Sequence, residues 1–226
     1  MVKEGSPSRK GHVMGIYYYY GVMGSNKTLK LLTMAYNYKK VGRKAVIIRP
    51  AIDTRTAYVE SRIGVKQKAD VTVSSKLSSK EDEKLVADII EKARQNNSVV
   101  LVDEAQFFKP SFIYMLEKYS NVSKVSVYGF GLLKDFRNHL FKGTVAWLEI
   151  ADSIHEVKAV CENCNNKATC NALETKHHFM AASTFDTDSN CNTVIGDTQF
   201  HVYCRACWDK LYNDSKALYS HCIQER

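Results

Sequence analysis

The sequence predicts an α/β fold with a mainly parallel sheet, joined to a second, small metal-binding domain. Three observations carry this expectation. Five residues of strand character, Ile16 to Tyr20, run into a glycine-containing loop and out into a helical pattern. Further on, the apolar run Val99 to Val102 ends in Asp103 and Glu104. Two C-x₂-C pairs, Cys161 with Cys164 and Cys204 with Cys207, lie in the last third of the chain.

The loop after the first strand reads Gly21-Val22-Met23-Gly24-Ser25-Asn26-Lys27-Thr28. It follows the phosphate-binding pattern G-x-x-x-x-G-K-[ST], except that Asn26 stands in place of the second glycine. In such a loop the backbone N–H groups and the following helix N-terminus face an anion, the lysine reaches the β/γ-phosphates and the hydroxyl completes the shell of Mg²⁺. Lys27 and Thr28 fill those two roles here. Glycine is favoured where φ must be positive or a ligand must come close, and asparagine is the best replacement that still carries a side chain. Asn26 is therefore expected to weaken nucleotide binding without abolishing it.

Leu29, Leu32, Ala35 and Tyr36 give the helix its apolar face, Gly42 stops it, and Lys44 to Arg49 forms a second strand ended by Pro50. Strand, helix and strand at this spacing make a parallel βαβ unit. Tyr17 to Tyr20 suit a buried strand better than a stacking platform for bases, which would space its aromatics along an exposed face. The polar segment with Asp53, Arg55 and Arg62 lies beyond a strand's carboxyl end, where open α/β sheets bind ligands, although from sequence alone a salt-bridged surface loop accounts for it slightly better. Val71 to Ser74 is a short strand, and Ser78 or Ser79 caps a helix to about Asn96 through a capping box with Glu81 or Asp82.

After the buried strand at 99–102, Asp103 is placed to hold Mg²⁺ and Glu104 to accept a proton from a substrate hydroxyl. Pro110 opens a helix to about Tyr119, Lys124 to Tyr128 forms another strand, and Ile154 to Val160 a last one. Phe136, in the mixed segment between them, is positioned either to stack on a flat ligand or to pack. Four cysteines in two knuckles match the number and spacing of a closed, structural zinc site; Cys170, Cys191 and Cys222 are unpaired by spacing.

The chain of 226 residues suffices for one domain and a small appendage, and no apolar run approaches bilayer-spanning length. Residues 1–12 are polar and basic without an apolar core, so they are expected to form a flexible arm with no signal peptide, in a cytoplasmic protein. The net charge of +8 is compatible with nucleic acid, a membrane surface or an anionic substrate. Because the lysines are dispersed and alternate with acids between Lys80 and Arg94, a solvated surface explains them, and neither a nucleic-acid nor a membrane partner is expected.

Taken together, the motifs resemble the type II, zinc-containing thymidine kinase family. The resemblance covers Ile16 to about Leu211. It rests on the loop 21–28, Asp-Thr-Arg at 53–55 followed by Ser-Arg-Ile-Gly at 61–64, Asp-Glu-Ala-Gln-Phe-Phe at 103–108, Asp135-Phe136-Arg137 with Phe141, the cysteine pairs, and Val194-Ile195-Gly196. It implies a RecA-like P-loop core (13–157), a zinc and lasso domain (158–211) and a C-terminal tail (212–226). By the same likeness ATP is handled by Gly21, Met23, Gly24, Ser25, Asn26, Lys27, Thr28, Asp53, Arg55, Asp103 and Gln106. Glu104 activates the thymidine 5′-hydroxyl, and Phe107, Phe136, Asn171, Val194, Ile195, Gly196 and Phe200 lie on the thymidine side, with Phe136 against the base. Cys161, Cys164, Cys204 and Cys207 hold Zn²⁺, and the family forms homotetramers, or homodimers in some cases.

The chain departs from that pattern at Asn26, at Phe200, where the family usually has tyrosine, and at Asn171 and Ala172, where threonine and basic residues are usual. The expected activity is ATP- and Mg²⁺-dependent phosphorylation of thymidine, and of deoxyuridine. The alternatives are a kinase-derived nucleotide- or nucleoside-binding protein that turns over poorly because of Asn26, and a zinc-knuckle nucleic-acid-binding ATPase.

Overall fold

The structure, a computed structural model, describes residues 14–51, 58–174, 179–180 and 200–213. In chain order the elements are β1 (Ile16–Gly21), α1 (Lys27–Lys40), β2 (Ala45–Pro50), β3 (Tyr58–Glu60), β4 (Lys66–Lys68), β5 (Val71–Val73) and α2 (Ser79–Gln95). They continue with β6 (Val99–Val102), a 3₁₀ turn (Ala105–Phe107), α3 (Pro110–Ser123), β7 (Val127–Leu132), α4 (Lys142–Ile150) and β8 (Ser153–Glu156). A smaller unit carries β9 (Cys170–Glu174), β10 (Phe179–Met180), β11 (Phe200–Tyr203) and a helix, α5, over 205–213.

Six strands form one sheet in the order β5-β2-β6-β7-β1-β8, with every neighbouring pair parallel. Both faces are covered, and the two-residue period of a strand decides which side chain serves which face. Val46, Ile48, Val100 and Val102 meet α2 and α3 through Ile90, Ile113 and Leu116. Their alternates Ile47 and Leu101 meet α1 through Leu31, Leu32 and Ala35. The tyrosine run obeys the same rule: Tyr18 is fully buried against Trp147 of α4, while Tyr17 and Tyr19 stack on Tyr128 and Phe130 on the α1 side.

Several boundaries differ from the sequence expectation. The helix from Pro110 runs on to Ser123, and Lys124 closes it in the left-handed conformation; the strand expected at 124–128 is instead Val127–Leu132. Gly129 and Gly131, which read locally as breakers, lie inside that strand because a Cβ at 129 would sit 3.0 Å from Trp147 and one at 131 would sit 2.7 Å from Gln106 Oε1. The last sheet strand stops at Glu156 and not near Val160. The helix α4, the β3–β4 hairpin and the strands β9 and β11 carry no clear periodicity and were not anticipated. Ser78 does cap α2, with both hydrogen bonds of its capping box to Glu81 present.

The strands β9, β10 and β11 form an antiparallel sheet in the order β10-β9-β11. Its core comprises Cys161, Cys170, Ala172, Tyr203, Cys204 and Trp208. A second small cluster joins this unit to the main sheet's edge: Val22 and Met23 of the glycine loop pack on Ala168 and Val202. No helix among the described residues is long and apolar enough to cross a membrane.

Candidate active site

The loops that carry Lys27, Thr28, Glu104 and Phe136 emerge at the carboxyl ends of β1, β6 and β7, the edge at which parallel α/β sheets bind ligands. The turn after β1 is fixed by its own packing. Gly21 has no room for a side chain, since a Cβ would lie 2.4 Å from Val157 O and 2.5 Å from Ser25 Oγ. Asn26 adopts φ 64° and ψ 29°, the left-handed geometry in which asparagine is the least costly residue after glycine, and it leads directly into α1. The unusual residue thus accepts the backbone shape that the glycine would have given.

Lys27 is buried, with Nζ donating to Val22 O at 2.7 Å, Ser25 Oγ at 3.2 Å and Gly21 O at 3.3 Å. Burial lowers its ammonium to about 8, Glu104 and Asp103 oppose that shift, and Arg62 adds to it. A phosphate placed against Nζ would hold it charged. Thr28 Oγ1 donates to the Asp103 carboxylate at 3.2 and 3.4 Å, which joins the loop to the end of β6. Burial, with the neighbouring Glu104 charge, raises the Asp103 carboxyl to about 7, against hydrogen bonds from the Glu104 backbone and Thr28 and the charge of Lys27. A hydroxyl and a carboxylate in contact at the end of α1 are hard oxygen donors of the kind Mg²⁺ takes together with phosphate oxygens.

Glu104 is exposed and held at φ 47°, ψ 44°. A non-glycine residue in that region costs energy and is maintained by its surroundings, here the 3₁₀ turn that starts at Ala105. Gln106 Nε2 donates to Glu104 Oε2 at 2.6 Å while its Oε1 accepts the Leu132 N–H at 2.9 Å. Gln106 is itself buried, so it stands behind the carboxylate and fixes it against β7. Phe107 is half-buried and meets Phe141 edge to face at 5.6 Å. Phe136 is buried in the segment after β7, with the Arg137 guanidinium over its ring and the Asp135–Arg137 ion pair at 2.9 Å beside it.

Two cavities share the loop. One, of about 200 Å³, is lined by Lys27, Thr28, Arg62, Glu104 and Leu132 among others. The other, of about 470 Å³, lies between the loop and the smaller unit, where Met23, Asn26, Lys158 and Phe200 line it. Asn171 does not open into either: it is buried, its Oδ1 accepts Met23 N–H at 2.8 Å and its Nδ2 donates to Lys134 O at 2.9 Å. Asp53, Arg55, Val194, Ile195 and Gly196 lie outside the described residues. Arg62, which the sequence placed either at the ligand edge or in a salt-bridged loop, lines both cavities, whereas Leu132 and Lys158 were not singled out from the sequence.

The four cysteines come together as expected, with Cys161, Cys164, Cys204 and Cys207 Sγ atoms all within 4.8 Å of one another. Four thiolates about 2.3 Å from a common centre make a tetrahedron with edges of roughly 3.8 Å, so the donor set fits Zn²⁺.

The thymidine kinase family model matches residues 14–208, which spans both the sheet and the cysteine cluster. The chain belongs to the thymidine kinase family. Its curated relatives include thymidine kinases of Streptococcus gordonii (40% identical over 164 residues, 72% of this chain and 81% of that one) and Streptococcus agalactiae (38% over 156 residues, 68% and 78%). The thymidine kinase of Streptococcus pyogenes is 36% identical over the same shares. A looser likeness, TM-score 0.41 at 15% identity over 63% of this chain and 74% of the other, is to the genome packaging NTPase B204 of Sulfolobus turreted icosahedral virus 2. With its cysteine cluster, this family member is of the zinc-containing type II.

Proposed function

We propose that this protein is an ATP-dependent thymidine kinase that transfers the γ-phosphate of ATP to the thymidine 5′-hydroxyl. The observation that carries the reading is the convergence, within a family member, of Lys27, the Thr28–Asp103 contact and Glu104 around one cavity. The loop amides and Lys27 bind the phosphates, and Thr28 with Asp103 would hold Mg²⁺, which supplies charge neutralisation at the β- and γ-oxygens. Glu104, exposed and supported by Gln106, takes the proton of the 5′-hydroxyl as it attacks. Phe107 and Phe136 lie on the nucleoside side, and Asp53, Arg55, Val194, Ile195, Gly196 and Phe200 belong to the same proposal by family likeness. The four cysteines hold a structural zinc with no open position. The active species is a homotetramer or homodimer, and the protein works in the cytoplasm.

The test is formation of thymidine monophosphate by the purified protein with ATP and Mg²⁺, with uridine as the control nucleoside. Thymidine-selective product is the expected result; no product from folded, zinc-loaded protein would overturn the assignment in favour of a kinase-derived binding protein.

A further inference from the structure

Arg62 stands at the turn of the β3–β4 hairpin, and the turn is braced by its neighbour. Ser61 is buried; its N–H donates to Val65 O at 2.8 Å, its hydroxyl accepts from Val65 N–H and also lies 3.1 Å from Val65 O, and Gly64 N–H closes back on Ser61 O at 2.9 Å. Arg62 therefore springs from a fixed point. Its side chain reaches across the phosphate loop, with Nη1 3.7 Å from where a Cβ on Gly24 would stand. It lines both cavities on that loop and shares the smaller one with Lys27, Thr28 and Glu104.

An exposed arginine is ordinarily a solvated or ion-paired surface residue. Two features separate Arg62 from that description. Among the described residues it has no carboxylate within ion-pair distance, although Glu60 and Glu104 line the same cavity. It also converges with a second cation, the buried Lys27, whose charged state it disfavours. Two cations facing one cavity repel each other until a multiply charged anion enters between them.

We propose that Arg62 is a further catalytic residue of this kinase, whose guanidinium engages the transferring γ-phosphoryl group from the side opposite Lys27. This rests on the thymidine kinase reading. As the 5′-oxygen bonds to the γ-phosphorus, the bond from that phosphorus to the β,γ-bridging oxygen breaks, the hydroxyl proton passes to Glu104 and ADP leaves with the bridging electrons. Negative charge spreads over the equatorial and bridging oxygens during this step, where a planar, two-pronged guanidinium matches it and an ammonium does not. Carrying the arginine on a hairpin separate from the loop places it over the phosphate without occupying the loop's own amides.

The experiment compares wild type, Arg62→Ala and Arg62→Lys in three measurements: thymidine monophosphate formation, Mg·ATP binding, and trapping of ADP–aluminium fluoride in the presence of thymidine. The expected result for Arg62→Ala is a fall in kcat of about 10²–10³-fold, the usual effect of removing one preorganised donor to a developing charge. Mg·ATP affinity should stay within a few-fold, trapping should be lost, Arg62→Lys should recover little, and added guanidinium should restore part of the rate. Retention of kcat within about threefold overturns the proposal, as does a loss seen only as weaker ATP binding with kcat unchanged, which would make Arg62 a ground-state anchor. Thymidine monophosphate formation by wild type is the separate control: its absence overturns the kinase reading and this proposal together, whereas active wild type beside fully active Arg62→Ala overturns only the role of Arg62.

Discussion

Asn171 Oδ1 accepts the Met23 N–H at 2.8 Å, a contact between the smaller unit and the phosphate loop across a sequence distance of 148 residues. The same amide donates to Lys134 O, and the Asn171 carbonyl accepts Trp208 Nε1–H at 3.0 Å. One buried residue therefore ties together the loop after β1, the segment after β7 and the helix α5. The tie puts a cysteine-bearing module distant in sequence in direct contact with the phosphate loop.

Asn171→Ala leaves the Met23 N–H and the Lys134 carbonyl, both partly buried, without their present partners. Each such group costs about 1–3 kcal/mol. For a chain of this size 1 kcal/mol corresponds to roughly 2–4 °C in Tm. The expected outcome is a Tm lowered by several degrees together with weaker ATP binding, measured by thermal unfolding and nucleotide titration. An unchanged KM for ATP in a destabilised variant would separate the tie from the loop's function.

Glu104→Gln keeps the shape of the side chain and removes its basicity. General-base catalysis contributes about 10²–10⁴-fold, so kcat should fall by that order while Mg·ATP and thymidine still bind. Equal losses of ATP affinity and rate would show that Glu104 shapes the loop and does not take the proton.

Asn26→Gly addresses the one departure from the phosphate-loop pattern. Because Asn26 already holds φ 64°, the glycine variant should leave the loop unchanged and alter kcat by no more than a few-fold. A β-branched residue there is expected to cost about 1–2 kcal/mol in backbone strain and to weaken ATP binding. A gain in rate of many-fold for Asn26→Gly would favour the poorly turning-over binder instead.

Those parts of the site written in consecutive residues were legible in the sequence: the strand and loop up to Thr28, and the apolar strand that ends in Asp103 and Glu104. Their local chemistry coincides with the role proposed for them. The strand β7 was expected to end at Tyr128 because Gly129 and Gly131 look like turn residues, and only the distant Trp147 and Gln106 show why glycines sit inside it. Gln106 and Asn171 were identified as ligand-side residues, but their amides face Glu104, Leu132, Met23 and Lys134, partners that no spacing rule reveals. The β3–β4 hairpin escaped notice because its strands are three residues each, with only Val59 buried in the first and Lys66–Lys68 polar and wholly exposed in the second.

Zinc removal tests the link between the cysteine cluster and catalysis. Val22 and Met23 pack against Ala168 and Val202, and Cys161 and Cys204 share a core with Ala172 and Trp208. Structural zinc sites contribute about 10–16 kcal/mol in small zinc modules, more than a unit of this size can replace by apolar burial. Full-length protein should carry one zinc per chain by elemental analysis. Chelation, or Cys164→Ser, should lower Tm, increase hydrogen exchange in β9 and β11, and reduce kinase activity even though no cysteine among the described residues lines the cavity of Lys27, Thr28 and Glu104. The loss of activity should track the loss of protection at Met23, because the Asn171 hydrogen bond and the Val22 contact join the phosphate loop to the smaller unit. Zinc-free protein with unaltered Tm and kcat would mean that the smaller sheet holds the phosphate loop without its metal.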